Sequence, residues 1–332
     1  MVSAYAPGKA ILFGEHAVVY GHPAVAVAIS KGVQISLSES DSWTVENRPL
    51  SPSRHPHLNW LVERNNLTDR PMSIKISSEL FPAAGQGSSA ALSVAAQLAL
   101  AEFSGLSTDT VDAAITAHQA EAYAQLGRAS PTDTATSSLG GCVVVSNNLS
   151  GMADTIFRAS LETPEGVMEW DIGTVDLTYD DMPHIVLGHS GTPSQTGKMV
   201  SMVAELISEN QEKKQDLDFI GELTLMGLVA LRSGAWEAVG MAMDVCHEKL
   251  RSLGLSTPVL ETLIEAVRPH SLGAKLTGSG GGGCMMALTY NPERVAQTIE
   301  LSGGRAIITP MHCDGARVCL LYTSPSPRDQ SG

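Results

Sequence analysis

Residues 275–284 read KLTGSGGGGC, and five of the six positions from 278 to 283 are glycine. Glycine weakens helix and strand alike, because it has the most backbone freedom to lose on folding. A run of this kind therefore answers some other physical demand. Two demands fit: a nest of backbone amides wrapped around an anion, or two chain segments approaching too closely for a Cβ. Either way, the fold must press something against this loop.

A second such stretch, GQGSSAA at 85–91, stands just ahead of an apolar helical run. An ordinary cap needs one Ser, Thr, Asp or Asn, and this stretch supplies more freedom than that. A helix start presents unpaired N–H groups and partial positive charge, so it can hold a phosphate. Gly85 and Gly87 would let a phosphate approach the backbone, and Ser88 and Ser89 add hydroxyls, one of which could bind Mg²⁺. A tight turn with an N-cap is the plainer alternative. A third stretch, APGKAILFGEHAVVYG at 6–21, reads as loop-rich and gathers Lys9, Glu15 and His16 into a polar cluster.

Familiar nucleotide fingerprints do not account for these loops. Gly85, Gly87 and Ala90 match G-x-G-x-x-A, and Gly278, Gly280 and Gly283 match G-x-G-x-x-G, but that pattern is weak alone. The second match runs into CMMALTY, a strand where a helix is required, and the first has no strand–acid pairing for a ribose after it. A P-loop is excluded as well. Five residues rather than four separate Gly191 from Gly197-Lys198, and Met199 replaces the needed Ser or Thr.

The formal charge of −14, from 35 acidic and 21 basic residues, argues against nucleic acid or an anionic membrane as a partner. A local pocket can still be positive and take an anionic small molecule. No apolar run approaches the roughly 20 residues of a membrane helix. Glu15 and His16 fall where a secretory signal would need its apolar segment, so export is not indicated. The five cysteines (Cys142, Cys246, Cys284, Cys313, Cys319) are scattered and never form CxxC, which reads as reduced, mostly buried thiols in the cytoplasm. His55 and His57, with a proline between them and no acid or cysteine at useful spacing, read as loop residues and not as metal ligands.

At 332 residues, 43% hydrophobic and 17% charged, the chain has room for about two packed domains. β-rich runs open it, at 25–30, 33–40, 43–47 and 72–78, with a Pro-rich loop or excursion over 47–60. Helices are expected over Ser88–Phe103 and Thr108–Leu126, then a strand at 142–148 and a turn-rich segment at 149–183. A strand at 184–189 follows, then helices at about 195–212, 217–232, 235–252 and 257–267. Strands near 274–277 and 284–290, a helix near 292–301 and strands near 304–309 and 316–321 complete the pattern. The mixture predicts an α+β protein with domains over 1–180 and 181–320. The final LYTSPSPRDQSG, 321–332, is unlike the rest and is set aside as a non-native or disordered tail.

The three glycine-bearing stretches, in this order, resemble the signature motifs of the GHMP small-molecule kinases. APGKAILFGEHAVVYG and RASPTDTATSSLGG are similar to the branch of that family, of archaeal type, that phosphorylates mevalonate. PAAGQGSSAALS resembles its phosphate loop, with Gln86 where Leu or Ile is usual, and the four motifs extend from residue 2 to about 318. The resemblance implies an N-terminal domain like domain 2 of ribosomal protein S5 and a ferredoxin-like C-terminal domain, with ATP over the 85–91 loop. It implies transfer of the γ-phosphoryl of ATP to the C5 hydroxyl of mevalonate, a step of isoprenoid precursor synthesis. The alternatives are another GHMP kinase, acting on phosphomevalonate or on the other hydroxyl of mevalonate, and a nucleotide-binding regulator without catalysis.

By the same resemblance, Asp133 orients the acceptor hydroxyl and takes its proton, while Lys9 supports Asp133 and stabilises charge on the transferring group. ATP would lie against Gly85, Gln86, Gly87, Ser88, Ser89 and Ala90, and against Gly278, Ser279, Gly280 and Gly281. Ser89 and Glu121 are the Mg²⁺ ligands it implies. Glu15, His16 and Thr196 would read the mevalonate, and Lys198 is a surface residue. A homodimer is common among such kinases.

Overall fold

The computed structural model describes residues 1–125, 127, 129–163, 166–177 and 179–319. The expected tail lies outside the described residues. Strand β1 (Val2–Phe13) passes through a short turn and returns antiparallel as β2 (Ala24–Glu39). β3 (Thr44–Val45), β4 (Arg48–Pro49), helix α1 (Pro56–Arg64) and β5 (Met72–Ser78) follow. Helices α2 (Ser88–Ser104), α3 (Thr110–Ala124) and α4 (Thr132–Leu139) come next, then β6 (Cys142–Ser146) and the hairpin β7 (Thr155–Thr163) and β8 (Gly166–Val175).

The later elements begin with β9 (His184–His189) and run through α5 (Thr196–Glu209), α6 (Gln211–Arg232), α7 (Trp236–Ser252) and α8 (Pro258–Val267). Strands β10 (Gly273–Thr277) and β11 (Cys284–Thr289), helix α9 (Pro292–Leu301), β12 (Arg305–Pro310) and β13 (Arg317–Cys319) close the described chain. Nine strands form one sheet among the described residues, ordered β4-β3-β5-β2-β6-β8-β7 with β1 paired to both β2 and β13. The second sheet is ordered β10-β11-β9-β12 and antiparallel throughout. The α+β class expected from the sequence holds.

The first sheet carries α2, packed on β1 and β2, with α1, α3 and α4 beside it. Helix α2 is buried almost all round from Ala90 to Ala101, and its alanines let it settle close to the strands. The two sheets share one continuous apolar core. Their seam is polar at chosen points: the Thr277 hydroxyl donates to Ile11 O (2.8 Å) and accepts from Ile11 N (3.0 Å).

Several expectations change. The 6–21 stretch is a strand up to Phe13, with its register slipping between Pro7 and Lys9, because proline brings no amide to the ladder. The runs at 25–30 and 33–40 are one strand, β2. The strand over 43–47 shrinks to β3, since Glu46 and Asn47 turn through positive φ (+50° and +61°). The excursion at 47–60 contains β4 and the start of α1, which has Pro56 at its first position, where a missing N–H costs nothing. The turn-rich 149–183 holds the β7–β8 hairpin. The helix at 195–212 stops at Glu209, and the next starts at Gln211, because Asn210 Oδ1 caps the amides of Glu212 (3.0 Å) and Lys213 (3.2 Å).

Candidate active site

The 85–91 loop ends in a helix start with no side-chain cap. Gly87 is the N-cap residue of α2 at φ +69°, and Gly85 sits at φ +75°. The first amide to find an intrahelical acceptor is Ala91 N, on Gly87 O at 2.9 Å. The amides of Ser88, Ser89 and Ala90 have no protein acceptor among the described residues. A Cβ on Gly85 would meet nothing within 4 Å, so the loop faces open space there. Gln86 turns the other way: its Oε1 accepts from Phe81 N at 2.9 Å and the residue is buried. Any nucleotide contact from Gln86 is left to its backbone.

Strand β1 delivers Lys9 beneath this loop. Lys9 N donates to Gln86 O (2.9 Å), and its ammonium donates to Gly85 O (3.0 Å) while standing 3.1 Å from Asp133 Oδ1. Asp133 lies in the first turn of α4, where the helix dipole favours a carboxylate. Lys9 is 4% exposed and Asp133 40%, so the cation is fixed from behind while the carboxylate faces outward. A Cβ on Gly87 would sit 3.0 Å from Lys9 Cγ and 3.5 Å from Asp133 Oδ2. Glycine at 87 is thus a packing requirement of the Lys9–Asp133 pair.

Ser89 and Glu121 meet on the facing sides of α2 and α3. The Ser89 hydroxyl lies 2.8 and 2.9 Å from the two oxygens of the Glu121 carboxylate. Two further donors, Ser93 Oγ (2.6 Å) and Gln125 Nε2 (3.0 Å), hold the same carboxylate. The sequence reading passed over both, although Ser93 lies one helical turn beyond Ser89. Hard oxygens next to unpaired amides fit Mg²⁺, which takes one or two protein ligands and leaves the rest to phosphate and water. Among the described residues no group of three or more His, Cys, Asp or Glu could hold a metal ion by itself.

The 278–283 loop closes the other side. A Cβ on Gly278 would stand 3.7 Å from Gly85 O, so the two glycine loops face each other. Between the two readings of this loop, close approach holds from 280 to 283. Gly281 N donates to Leu255 O and Gly283 N to Thr192 O (both 2.8 Å), and a Cβ on Gly282 would come 2.7 Å from Pro193 O. The amide of Gly281 is therefore already committed and is not free to donate to a phosphate. Ser279 is the polar centre of the loop: its hydroxyl is 2.7 Å from Ser194 Oγ and 3.1 Å from Thr196 Oγ1. Its carbonyl is 3.0 Å from His16 Nε2.

A carbonyl only accepts, so Nε2 of His16 carries the proton and Nδ1 keeps its lone pair. Burial lowers the pKa of this imidazole, and the bond to the Ser279 carbonyl opposes the shift. Glu15 does not join it in the cleft. Its side chain is wholly buried against the Lys275 ammonium, which leaves no surface for an acceptor to touch and overturns the expected direct contact. Burial raises the Glu15 carboxyl and Lys275 pulls it back. Thr196, at the start of α5, is exposed, as is Lys198. His55 precedes α1 as its N-cap residue, while His57 lies in the first turn of the helix instead of in a loop, close enough to feel the Glu121 charge.

Two surface hollows, of about 630 and 440 Å³, lie elsewhere, one beside Arg70 and Phe103 and one beside Asp154 and Arg232. Neither is lined by Lys9, Asp133 or either glycine loop. The convergence of Lys9, Asp133 and the two glycine loops marks the site better than hollow size does.

A family model described as the GHMP kinases N terminal domain matches residues 58–141, and one described as GHMP kinases C terminal matches 228–300. The mevalonate kinase of Pyrococcus furiosus is 30% identical over 354 residues, covering 96% of this chain and 98% of that relative. The mevalonate kinase of Methanothermobacter thermautotrophicus is 33% identical over 295 residues, covering 86% and 89%. The crystal structure of L. major mevalonate kinase in complex with R-mevalonate superposes with a TM-score of 0.72 at 23% identity, covering 90% of each chain.

Proposed function

Because the chain belongs to the GHMP kinases, we propose that it transfers the γ-phosphoryl group of ATP to the C5 hydroxyl of mevalonate, giving 5-phosphomevalonate and ADP. This is the reaction of a mevalonate kinase, a step in making isoprenoid precursors, and the near full-length archaeal relatives carry that name. The observation that carries the reading is the Lys9–Asp133 pair held against an uncapped helix start.

Phosphoryl transfer needs in-line positioning and charge neutralisation more than covalent help. On this reading the triphosphate lies over the amides of Ser88, Ser89 and Ala90, between the 85–87 loop and the Gly278–Gly280 turn. Asp133 accepts a hydrogen bond from the acceptor hydroxyl, aligns its oxygen on the γ-phosphorus, and takes the proton as the new P–O bond forms. Lys9 orients Asp133 from 3.1 Å, and its ammonium lies near the charge growing on the transferring group. His16 and Thr196 form the acceptor side, with His16 Nδ1 able to accept from a hydroxyl. Ser89 and Glu121 would hold Mg²⁺, which supplies charge neutralisation of the phosphates when bound.

The division into an N-terminal ATP-binding domain over 1–180 and a C-terminal domain over 181–320 belongs to this proposal, with β13 returning from the second to pair with β1 of the first. So does a cytoplasmic location, supported by the free thiols of all five cysteines. No described helix is long and apolar enough to cross a membrane.

The deciding experiment is ADP release with mevalonate as the only acceptor, with phosphomevalonate in parallel and the product's phosphorylated position read by ³¹P and ¹³C NMR. Phosphate on C5 is the expected result. Turnover with phosphomevalonate alone, or phosphate on the other hydroxyl, would transfer the assignment to one of the alternative kinases.

A further inference from the structure

We infer that Lys275 is a positioning residue for His16, bracing through Glu15 the strained turn that presents the imidazole to the acceptor. This rests on the reading of the cleft as a mevalonate site.

The turn is unusual. His16 has φ +59° and ψ −41°, a region that L-residues rarely occupy, and Ala17 N donates to Glu15 O at 2.6 Å across it. That is a three-residue γ-turn of the positive-φ form, which is rare and strained. A conformation of this kind persists only where its surroundings over-determine it. Here two tethers do so, one from its central residue and one from its first. His16 Nε2 is tied to Ser279 O, and Glu15 is tied to the Lys275 ammonium, which also donates to Leu276 O at 2.8 Å. Both tethers end on one stretch of chain: Lys275 in β10 and Ser279 in the loop that follows it.

Stability alone does not explain this pair. Lys275 is 0% exposed, and a fully buried ion pair is often no better than apolar side chains of the same volume. The seam between β1 and β10 is already joined without it, by the Thr277 hydroxyl on both polar groups of Ile11. What the pair adds is position. It fixes the residue before His16 to the strand that leads into the loop His16 touches, so the imidazole and Ser279 hold one relative placement. The hydroxyls of Ser194 and Thr196 meet the same serine, so the acceptor side as a whole is referred to that strand.

The test uses the full-length enzyme and two variants. Lys275→Met/Glu15→Gln removes both charges and leaves no uncompensated ion; Glu15→Asp keeps the charge and draws it back by one methylene. Expected in the double variant are a KM for mevalonate raised on the order of tenfold, the scale of one lost polar contact, and a KM for ATP within about twofold of the parent. The His16 ring resonance, assigned with His16→Gln, is followed by NMR without substrate. It titrates below 6.5 in the parent and moves toward 6.5 in the double variant, with Glu15→Asp between them. A double variant with parental melting temperature, parental His16 titration and parental KM for mevalonate would overturn the inference. If the double variant does not fold, Glu15→Asp decides by the same two readouts. Should the parent fail to turn over mevalonate, the acceptor assignment falls, and the histidine titration still judges the brace.

Discussion

The Lys9 ammonium stands 3.1 Å from Asp133 Oδ1 and 3.0 Å from the carbonyl of Gly85, tying α4 to the 85–91 loop. One cation thereby sets the distance between the proposed base and the proposed nucleotide site. Removing the base should leave that frame standing. Asp133→Asn is expected to lower kcat by about 10²–10⁴-fold, the usual worth of a general base, with ATP affinity retained in equilibrium titration. Near-parental turnover would remove Asp133 from the mechanism.

Gly85 and Gly87 separate backbone strain from site geometry. Both lie in the left-handed region, so alanine at either position should cost about 1–2 kcal/mol in denaturant unfolding. Only at Gly87 would the new methyl meet Lys9, at 3.0 Å from Cγ and 3.1 Å from Cε; at Gly85 nothing lies within 4 Å. Gly87→Ala should therefore also lower kcat, while Gly85→Ala, whose methyl points into the space proposed for the triphosphate, should raise the KM for ATP and keep kcat at saturating ATP nearer the parent. Equal kcat in the two variants would mean that Lys9 placement is not limiting.

Glu121 accepts from Ser89, Ser93 and Gln125, and Ser93 supports the carboxylate from within the helix packing. Ser93→Ala should raise the Mg²⁺ concentration for half-maximal activity by about tenfold, the low end for an outer-sphere support, and Glu121→Gln should raise it further. An unaltered Mg²⁺ dependence in Glu121→Gln would place the ligand elsewhere.

The legible parts of this site were those with local chemical logic. Gly85 and Gly87 take the left-handed backbone that sets glycine apart, and Ser89 and Glu121, which the family resemblance names together, lie within hydrogen-bond distance. Lys275 is inconspicuous within KLTGSGGGGC, since nothing local says that a lysine will be buried against a carboxylate 260 residues away. Helix α4 was illegible for a related reason: TDTATSSL is poor in helix formers. Its buried Thr132, Thr134, Thr136, Ser137 and Ser138 are held by tertiary packing. The β7–β8 hairpin hid behind the glycines, proline and acids of 149–183. Pro7 and Gly8 disguised the middle of β1, where a register slip absorbs them.

Acid should destabilise the fold before any carboxylate titrates in the ordinary range. His16, His55, His57, His118, His189 and His247 all have pKa values lowered from 6.5, with burial the leading cause in each. The folded chain thus binds fewer protons than the unfolded chain just below pH 6.5, so stability is fully present above that value and falls as pH drops toward the folded pKa values. Glu15, raised by burial, acts in the opposite sense, one group against six. Urea midpoints should be flat from pH 8 to 7 and decline toward pH 5. A midpoint that holds or rises toward pH 5 would contradict this balance.

The last prediction concerns the seam between the sheets. Thr277 Oγ1 donates to Ile11 O and accepts from Ile11 N, and Thr277 is 6% exposed. Water has little access to replace those bonds. Thr277→Val keeps the shape, removes the hydroxyl and orphans both groups, each at about 1–3 kcal/mol; Thr277→Ser loses one methyl and keeps both bonds. Valine should therefore be the more destabilising change by about 2 kcal/mol or more in denaturant unfolding, although by size and hydrophobicity it is the milder one. Because β1 also carries Lys9 and β10 leads into the Ser279 loop, the valine variant should lose kcat as well. Serine and valine of equal stability would show that the sheets are held together by their apolar core alone.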